Sequence, residues 1–302
     1  MTSLARISTQ PNQDLQSQGD SPFATRLLGF DPETLPDFNR RAFEVRHRLA
    51  GHKLFSLERL VELASSVPAG QIEYNAGDLP VGQDPARTPG NGLSVAETVR
   101  NIETCRSWLV IKRVERDPAY RAVLDACLDE VYATVGQRVP GMSDRQGFIF
   151  ISSPGSVTPF HIDPEYNFLL QIRGTKTVHT FDGTDRAVMS TQSLEGFYSG
   201  AHRNLPFDEA IQAKAVTFTL RPGDGLHIPV TAPHWVRNGN AVSVSFSLTF
   251  CTPESDRRRM VHAANASLRR LGVTPSAYGA SAWRDSAKVA AQRVVERSGI
   301  GR

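Results

Sequence analysis

The sequence predicts a mainly β protein, a sandwich or barrel, with helical segments before and after the β-rich region. From Gly147 onward, short segments rich in β-branched and aromatic residues alternate with Pro, Gly and Asp turns. These segments are GFIFIS, YNFLLQIR, KTVHTF, AVTFTL, GLHIP and AVSVSFSLTF. After Thr252 the spacing of apolar residues becomes helical. The pattern predicts a β core over residues 147–252 and C-terminal helices over residues 253–302.

Two further segments precede this core. Residues 1–21 are polar and aperiodic, which is typical of a disordered lead. Residues 22–146 are predicted to form a helical and mixed extension that packs on the core. Apolar spacing there predicts helices at 54–67, with Ser56 as the N-cap, at 94–102 and at 118–135, and a strand at 108–114. Residues 70–92 are dense in Gly, Pro, Asp and Asn, and we expect a long loop that helps to form a substrate entrance.

Composition and charge narrow the class of protein. The 302 residues are 40% hydrophobic and 22% charged, as in globular domains, and three cysteines without a CxxC argue against a disulfide scaffold. No apolar run approaches the roughly 20 residues of a membrane span, and the N-terminus lacks the apolar core of a signal peptide. We therefore expect a cytoplasmic protein without a membrane partner.

Basic residues are concentrated at the C-terminus. The net charge is +3, but residues 255–302 hold ten Lys and Arg against three acidic residues. We expect the arginines at 257–259 and 269–270 to form solvated helix faces, so the charge does not favour a nucleic-acid partner.

One segment has the residue types and spacing of a metal centre. His161 and Asp163 are two residues apart, and strand alternation places both side chains on one face. His234 begins another β segment and offers a third ligand. Two histidines and one carboxylate on one face of an ion leave the opposite positions open, the arrangement of non-haem Fe(II) oxygenases. The alternative is a chance H-x-D motif of structural origin.

Two residues on either side of the H-x-D motif could bind a dicarboxylic cosubstrate. Lys176 follows a strand and a tight turn at Gly174, so we expect it on the strand beside His161. A cation there suits the distal carboxylate, and Thr158 can donate its hydroxyl to the same group.

These residues fall in a longer pattern. The string T-P-x-H-x-D-x-x-x-N-F-x-x-Q-I-x-G-x-K, followed by P-G-D-x-L-x-I-P and then a histidine, resembles the JmjC-type, cupin-like oxygenases that use Fe(II) and 2-oxoglutarate. The likeness is greatest to the asparaginyl hydroxylase of hypoxia-inducible factor, and it covers about residues 147–250. It implies a double-stranded β-helix, or jelly roll. It also implies Fe(II) ligands at His161, Asp163 and His234, and 2-oxoglutarate contacts at Thr158, Asn167, Lys176 and Ser245.

The resemblance implies a hydroxylase that uses O2 to oxidise an unactivated C–H bond, with succinate and CO2 as co-products. Its substrate would be an amino-acid side chain, peptidyl or free, or another small molecule. Two alternatives stay open: an N-methyl demethylase that uses the same centre, and a non-catalytic, metal-binding cupin regulator. The aromatic contact to 2-oxoglutarate has no matching motif, and Tyr74 and Trp108 are the candidates.

The other histidines and aromatic residues have less specific signals. We expect His179 and His227 to be structural, and His202 and His262 to be solvated. Core packing is the default for strand aromatics, but residues 148, 150 and 160, all Phe, are candidate pocket residues.

The helical tail suggests a homodimer. Apolar residues recur at helical spacing over 258–272 and 280–297, opposite arginines in the first helix. These faces pack either on the chain's own helices or on a second copy across a two-fold axis. The resemblance to dimeric hydroxylases favours the second copy.

Overall fold

The computed structural model describes residues 25–298, which form two antiparallel β-sheets with helices around them. Residues 25–298 contain the strands β1 (Leu28–Gly29), β2 (Phe43–His47), β3 (Ile72–Ala76), β4 (Ser107–Lys112), β5 (Ser143–Ser152), β6 (Val157–His161), β7 (Tyr166–Arg173), β8 (Lys176–Thr180), β9 (Val216–Leu220), β10 (Asp224–Ile228), β11 (His234–Asn238) and β12 (Ser243–Cys251). The helices are α1 (Leu57–Ser66), α2 (Val95–Arg100), α3 (Pro118–Val135), α4 (Thr191–Phe197), α5 (Pro253–Arg270) and α6 (Ala282–Ser298). In this part of the chain no helix is long and apolar enough to cross a membrane. The disordered lead predicted for residues 1–21 lies outside the described residues.

The two sheets enclose an interior that is partly apolar and partly polar. The larger sheet has the strand order β1-β2-β10-β7-β12-β5-β4-β3, and the smaller has the order β6-β11-β8-β9. Leu169 and Leu226 of the larger sheet meet Val178 and Val236 of the smaller in one buried cluster. Antiparallel sheets closed around a shared interior form the predicted jelly roll, so the fold prediction is confirmed.

The outer face of the larger sheet packs on helices of the N-terminal extension. Tyr120 and Leu124 of α3 lie in one buried core with Ile149 and Phe246 of the sheet. The helix boundaries follow local signals. For example, α1 begins after Ser56, whose hydroxyl accepts the backbone N–H of Arg59 at 3.2 Å.

The N-terminal extension contributes strands to the larger sheet. β2, β3 and β4 all belong to it, and the expected boundary at residue 147 lies inside β5. β3 also lies within the segment 70–92, where we expected only a loop, and it pairs with β4 with Tyr74 opposite Leu109. A strand signal was present in the sequence, because IEYNA has Ile72, Tyr74 and Ala76 at alternate positions. Pairing with β4 completes the strand.

The C-terminal helices are packed against the rest of the chain. Met260 and Val261 of α5 lie in a buried cluster with Val289 of α6. The Nε of Arg269, expected in solvent, donates to Oε2 of the buried Glu195 in α4 at 2.6 Å. Much of the apolar face of α5 is therefore covered within the chain.

His262 was also expected in solvent, and this prediction is wrong. The residue is 6% exposed. Its ring lies 5.7 Å from that of Tyr198 and 5.9 Å from that of Tyr278. Packing of α5 between α4 and α6 buries it.

Candidate metal centre and its pocket

The side chains of His161, Asp163 and His234 converge at one end of the smaller sheet. His161 ends β6, His234 begins β11, and the two residues are cross-strand partners. Their Nε2 atoms lie 3.8 and 3.7 Å from Oδ2 of Asp163, and the three candidate ligand atoms all lie within 4.8 Å of one another. Two imidazole nitrogens and one carboxylate oxygen at this spacing fit a single divalent metal ion.

Backbone carbonyls orient both imidazole rings. The Nδ1 of His161 donates to the carbonyl of Pro159 at 2.7 Å, and the Nδ1 of His234 donates to that of Ala232 at 2.9 Å. Each ring therefore has its lone pair on Nε2, the atom that faces Asp163. Burial, with a smaller effect from the adjacent His234, lowers the pKa of His161 to about 3. The ring is neutral at pH 7, as metal binding requires.

Arg203 contacts the other carboxylate oxygen of Asp163. Its Nη1 lies 2.7 Å from Oδ1, which leaves Oδ2 to face the histidines. Burial acts to raise the pKa of Asp163, but the two histidines and Arg203 hold it below its usual value. Arg203 was not predicted, because it lies 40 residues from Asp163 in an irregular segment without a recognisable motif.

Lys176 lies in the interior between the sheets. It is 5% exposed and forms no ion pair within residues 25–298. Burial lowers its pKa to about 7. The alternation of β8 points Lys176 and Val178 inward, while His179 faces outward and stacks on Trp235 at 4.0 Å, as its position on the strand predicts.

The position of this strand differs from the prediction. We expected Lys176 on the strand beside His161, but β11 lies between β6 and β8. The chain returns through β11 after β10, and antiparallel pairing inserts it between the two strands. Gly174 adopts a φ of 69° in the preceding turn, where a Cβ would lie 2.4 Å from the carbonyl oxygen of Val242.

Of the other residues predicted to contact 2-oxoglutarate, one lines a cavity and two are buried and hydrogen-bonded to neighbouring side chains. Thr158 lines a cavity together with His161. Asn167 is buried, and its Oδ1 accepts a hydrogen bond from Oγ of Ser247 at 2.6 Å. Ser245 is also buried and donates to Oε1 of Gln171 at 2.7 Å. Ser247 shares the inward face of β12 with Ser245, so strand alternation was the signal that could have identified it.

His227 is fully buried, as expected for a structural histidine. Its Nε2 accepts the backbone N–H of Asn39 at 3.1 Å, and its Nδ1 lies 3.1 Å from the carbonyl of Asn167. Burial lowers its pKa to about 3. The neutral ring of His227 therefore links the segment before β2 to strand β7 through hydrogen bonds.

A cavity of about 410 Å³, which we call the front pocket, opens beside the triad and includes His161 and Asp163 in its wall. Of the aromatic candidates, Trp108, Phe148 and Phe150 line it. Tyr74 instead packs against the outer core, and Phe160 lies in a separate buried cluster. His202, exposed as expected, also lines the front pocket.

The segment 70–92 forms one wall of the front pocket. Leu79, Pro85 and Thr88 contribute to the lining. The segment is anchored beside the metal-site strand, because the carbonyl of Val81 accepts the backbone N–H of Phe160 at 2.8 Å.

The part of the chain that holds this site is similar to a known protein domain. Residues 112–253 match the family model of the cupin-like domain. Lysine-specific demethylase 8 of Xenopus tropicalis is 34% identical over 107 residues, which cover 32% of this chain and 22% of the demethylase. The chain thus spans less than a quarter of that relative's length.

Two solved structures have a related fold. The X-ray structure of E. coli ycfD superposes with a TM-score of 0.51 at 16% identity, covering 89% of this chain and 68% of that chain. A second structure shows YcfD, a ribosomal oxygenase from Escherichia coli, in complex with cobalt and 2-oxoglutarate. It matches at 18% identity with a TM-score of 0.47, covering 87% of this chain and 65% of that one. Together with the motif around His161 and Asp163 and the jelly-roll fold, the family match supports one conclusion: residues 112–253, a little under half of the chain, are similar to the cupin-like domain.

Proposed function

We propose that this protein is an Fe(II)- and 2-oxoglutarate-dependent oxygenase that hydroxylates an unactivated C–H bond. The observation that supports this most directly is the combination of the open-faced triad with a buried lysine that has no acidic partner within residues 25–298. Fe(II) would be held by His161, Asp163 and His234. The bound iron, 2-oxoglutarate and O2 supply the oxidation, with succinate and CO2 as co-products.

The chain's own residues bind and orient the reacting groups. Lys176 would pair with the distal carboxylate of 2-oxoglutarate, with Thr158 as a hydroxyl donor. Asn167 and Ser245 are held in the same interior by hydrogen bonds to Ser247 and Gln171. The aromatic side chains of the front pocket would exclude water from the substrate carbon.

The proposal is tested by succinate release from 2-oxoglutarate in the iron-loaded protein. Asp163→Ala should abolish both iron binding and turnover, because it removes one of three ligands. Asp129→Ala is the matched control, since Asp129 forms only a surface ion pair with Arg145. Full turnover in the Asp163→Ala protein would refute the proposal.

A mass-spectrometric search of host lysate for a product 16 Da heavier would identify the substrate class. We propose an amino-acid side chain, peptidyl or free, or another small molecule, because the front pocket of about 410 Å³ suits a group of that size.

N-methyl demethylation is the second candidate, favoured by the likeness to lysine-specific demethylase 8. Both reactions begin with oxidation of a C–H bond, but demethylation ends with loss of formaldehyde. Formaldehyde released in step with succinate would identify the demethylase. Iron binding without succinate from any substrate would instead favour a non-catalytic cupin regulator.

We also propose a cytoplasmic homodimer formed through the C-terminal helices. Its support is the set of apolar side chains that α6 and the end of α5 leave exposed: Leu271 at 78%, Trp283 at 70% and Val294 at 66%. Burying these side chains against a second copy would remove apolar surface from water.

A further inference from the structure

A second cavity, which we call the rear pocket, has a volume of about 400 Å³. It is lined by residues 39–42 before and at the start of β2, by residues 180–184 after β8, and by the turn 229–232 that precedes His234. None of the three triad side chains lies in its wall. It is therefore a separate site from the front pocket.

The wall of the rear pocket contains three arginines. Arg40 and Arg41 come from the segment before β2, and Arg258 comes from α5. Within the described part of the chain, none of these arginines forms an ion pair. Their positive charge is thus available to a ligand.

The remaining charged groups of the wall are already engaged. Lys214 pairs with Asp185 at 2.6 Å. Asp182, the single acidic residue of the lining, accepts hydrogen bonds on Oδ1 from the N–H and the hydroxyl of Thr184 at 2.8 and 2.7 Å. The wall therefore has an excess of positive charge.

Two buried donors in the wall lack partners. Oγ1 of Thr231, a residue that is 1% exposed, and Nε of Arg258 are both buried without a hydrogen bond to any of residues 25–298. Buried polar groups almost always have partners, so two in one cavity indicate that a ligand with acceptor oxygens completes the site.

The backbone at Thr231 gives independent support. Its φ is 58°, in the left-handed region that a β-branched residue rarely adopts. Strain of this kind is concentrated at functional sites. The N–H of Thr231 donates to the carbonyl of Asp163 at 2.8 Å, and the next carbonyl, of Ala232, accepts the Nδ1 of His234. The turn is thus both a wall of the rear pocket and a support of the metal centre.

We propose that the rear pocket binds a small organic anion through its phosphate or carboxylate oxygens. Guanidinium groups recognise both anions with paired N–H donors, and Oγ1 of Thr231 adds a hydroxyl. Phe181 and Val230 supply apolar wall for the rest of the molecule. The volume lies in the range of small-molecule sites.

Calorimetric titration of the full-length Lys176→Met protein, without added metal, tests this proposal. The Lys176→Met substitution removes the interior lysine. Binding of a carboxylate near the triad therefore does not contribute to the measured heat. The two probes are inorganic phosphate, which supplies phosphate oxygens, and succinate, which supplies carboxylate oxygens. We expect saturable binding of at least one of them.

Three substitutions locate the binding. Arg41→Gln and Arg258→Gln should each weaken it by roughly 10-fold or more, because each removes a charge-assisted hydrogen bond. Thr231→Val, which keeps the side-chain shape, should weaken it by a smaller factor. Arg48→Gln removes the same charge from an exposed position after β2, outside the rear pocket, and should have no effect.

The outcomes separate this proposal from the proposed oxygenase. Selective loss of binding in the Arg41 and Arg258 variants supports the site whether or not the protein turns over 2-oxoglutarate. Equal binding in all the arginine variants, or no saturable binding of either anion in the millimolar range, overturns it. Circular dichroism and a thermal melt establish that each variant is folded.

Discussion

Lys176 is buried in the interior between the sheets and has no ion pair in residues 25–298, so its charge is available to a bound carboxylate. Lys176→Met removes a charge-assisted contact of about 1.5–3 kcal/mol. We expect the affinity for 2-oxoglutarate to fall by roughly 10- to 100-fold, with iron affinity almost unchanged. Titration of the metal-free protein with Fe(II) under anaerobic conditions measures the iron affinity, and calorimetry of the Ni²⁺-loaded protein measures the affinity for 2-oxoglutarate. An unaltered 2-oxoglutarate affinity would remove Lys176 from the site.

The same lysine should make 2-oxoglutarate binding depend on pH. Burial lowers the pKa of Lys176 to about 7 in the free protein, and a bound carboxylate raises it again. Below pH 7 the lysine is already charged. Above pH 7 binding must take up a proton, so affinity should fall by about tenfold per pH unit.

Calorimetry at pH 8 in two buffers of different ionisation enthalpy counts this proton directly. The wild-type protein should take up close to one proton per 2-oxoglutarate bound. The Lys176→Met protein should take up none from this source. Equal uptake in both proteins would contradict the assignment.

Arg203 is expected to position the carboxylate of Asp163 for metal binding. Its contact at 2.7 Å holds Oδ1, so that Oδ2 faces the two histidines. Loss of such a supporting contact commonly weakens metal binding by roughly 10- to 100-fold, and we expect this of Arg203→Gln. Titration with Co²⁺, followed by its visible absorption, measures the change without turnover. Arg173→Gln, at an exposed position on β7, is the control, and equal Co²⁺ affinities in the two variants would contradict the role.

At the scale of structural elements, we expect the segment after β3 to form part of the substrate entrance. Pro85 and Thr88 line the front pocket, whereas the segment is anchored through Val81. Replacing residues 84–88 with Gly and Ser of equal length removes the wall but keeps the anchor. Substrate-coupled turnover should then fall more than uncoupled decay of 2-oxoglutarate. The same replacement at 272–275, in a loop outside the front pocket, is the control, and equal loss of both activities in the 84–88 protein would refute an entrance role.

At the scale of the whole molecule, we expect the proposed dimer to depend on α6. Because α5 is tied to α4 through Arg269 and Glu195, substitution is a cleaner test than deletion of the tail. Trp283→Glu replaces the largest exposed apolar side chain of α6 with a charged one and should convert the dimer to a monomer in light scattering. Tyr132→Glu, at a 46% exposed position on α3, should not. A wild-type monomer at micromolar concentration would show that the tail only braces its own chain.

Local patterns in the sequence determined several features of this protein. Apolar spacing and an N-cap at Asp117 define α3 over 118–135, and the β segments from YNFLLQIR to AVSVSFSLTF form strands of the jelly roll. The H-x-D spacing likewise brings His161 and Asp163 together, although Asp163 lies just beyond the end of β6. These features were predictable because helix caps, helix periods and strand alternation act over a few residues.

Only the tertiary structure decided how distant segments meet. Cross-strand pairing sets His234 opposite His161 and inserts β11 between β6 and β8. Packing of α5 buries His262. The contact of Arg203 with Asp163 and the basic wall of the rear pocket also join segments far apart in the chain. No local period encodes such contacts, because they depend on which strands pair and which surfaces are buried together.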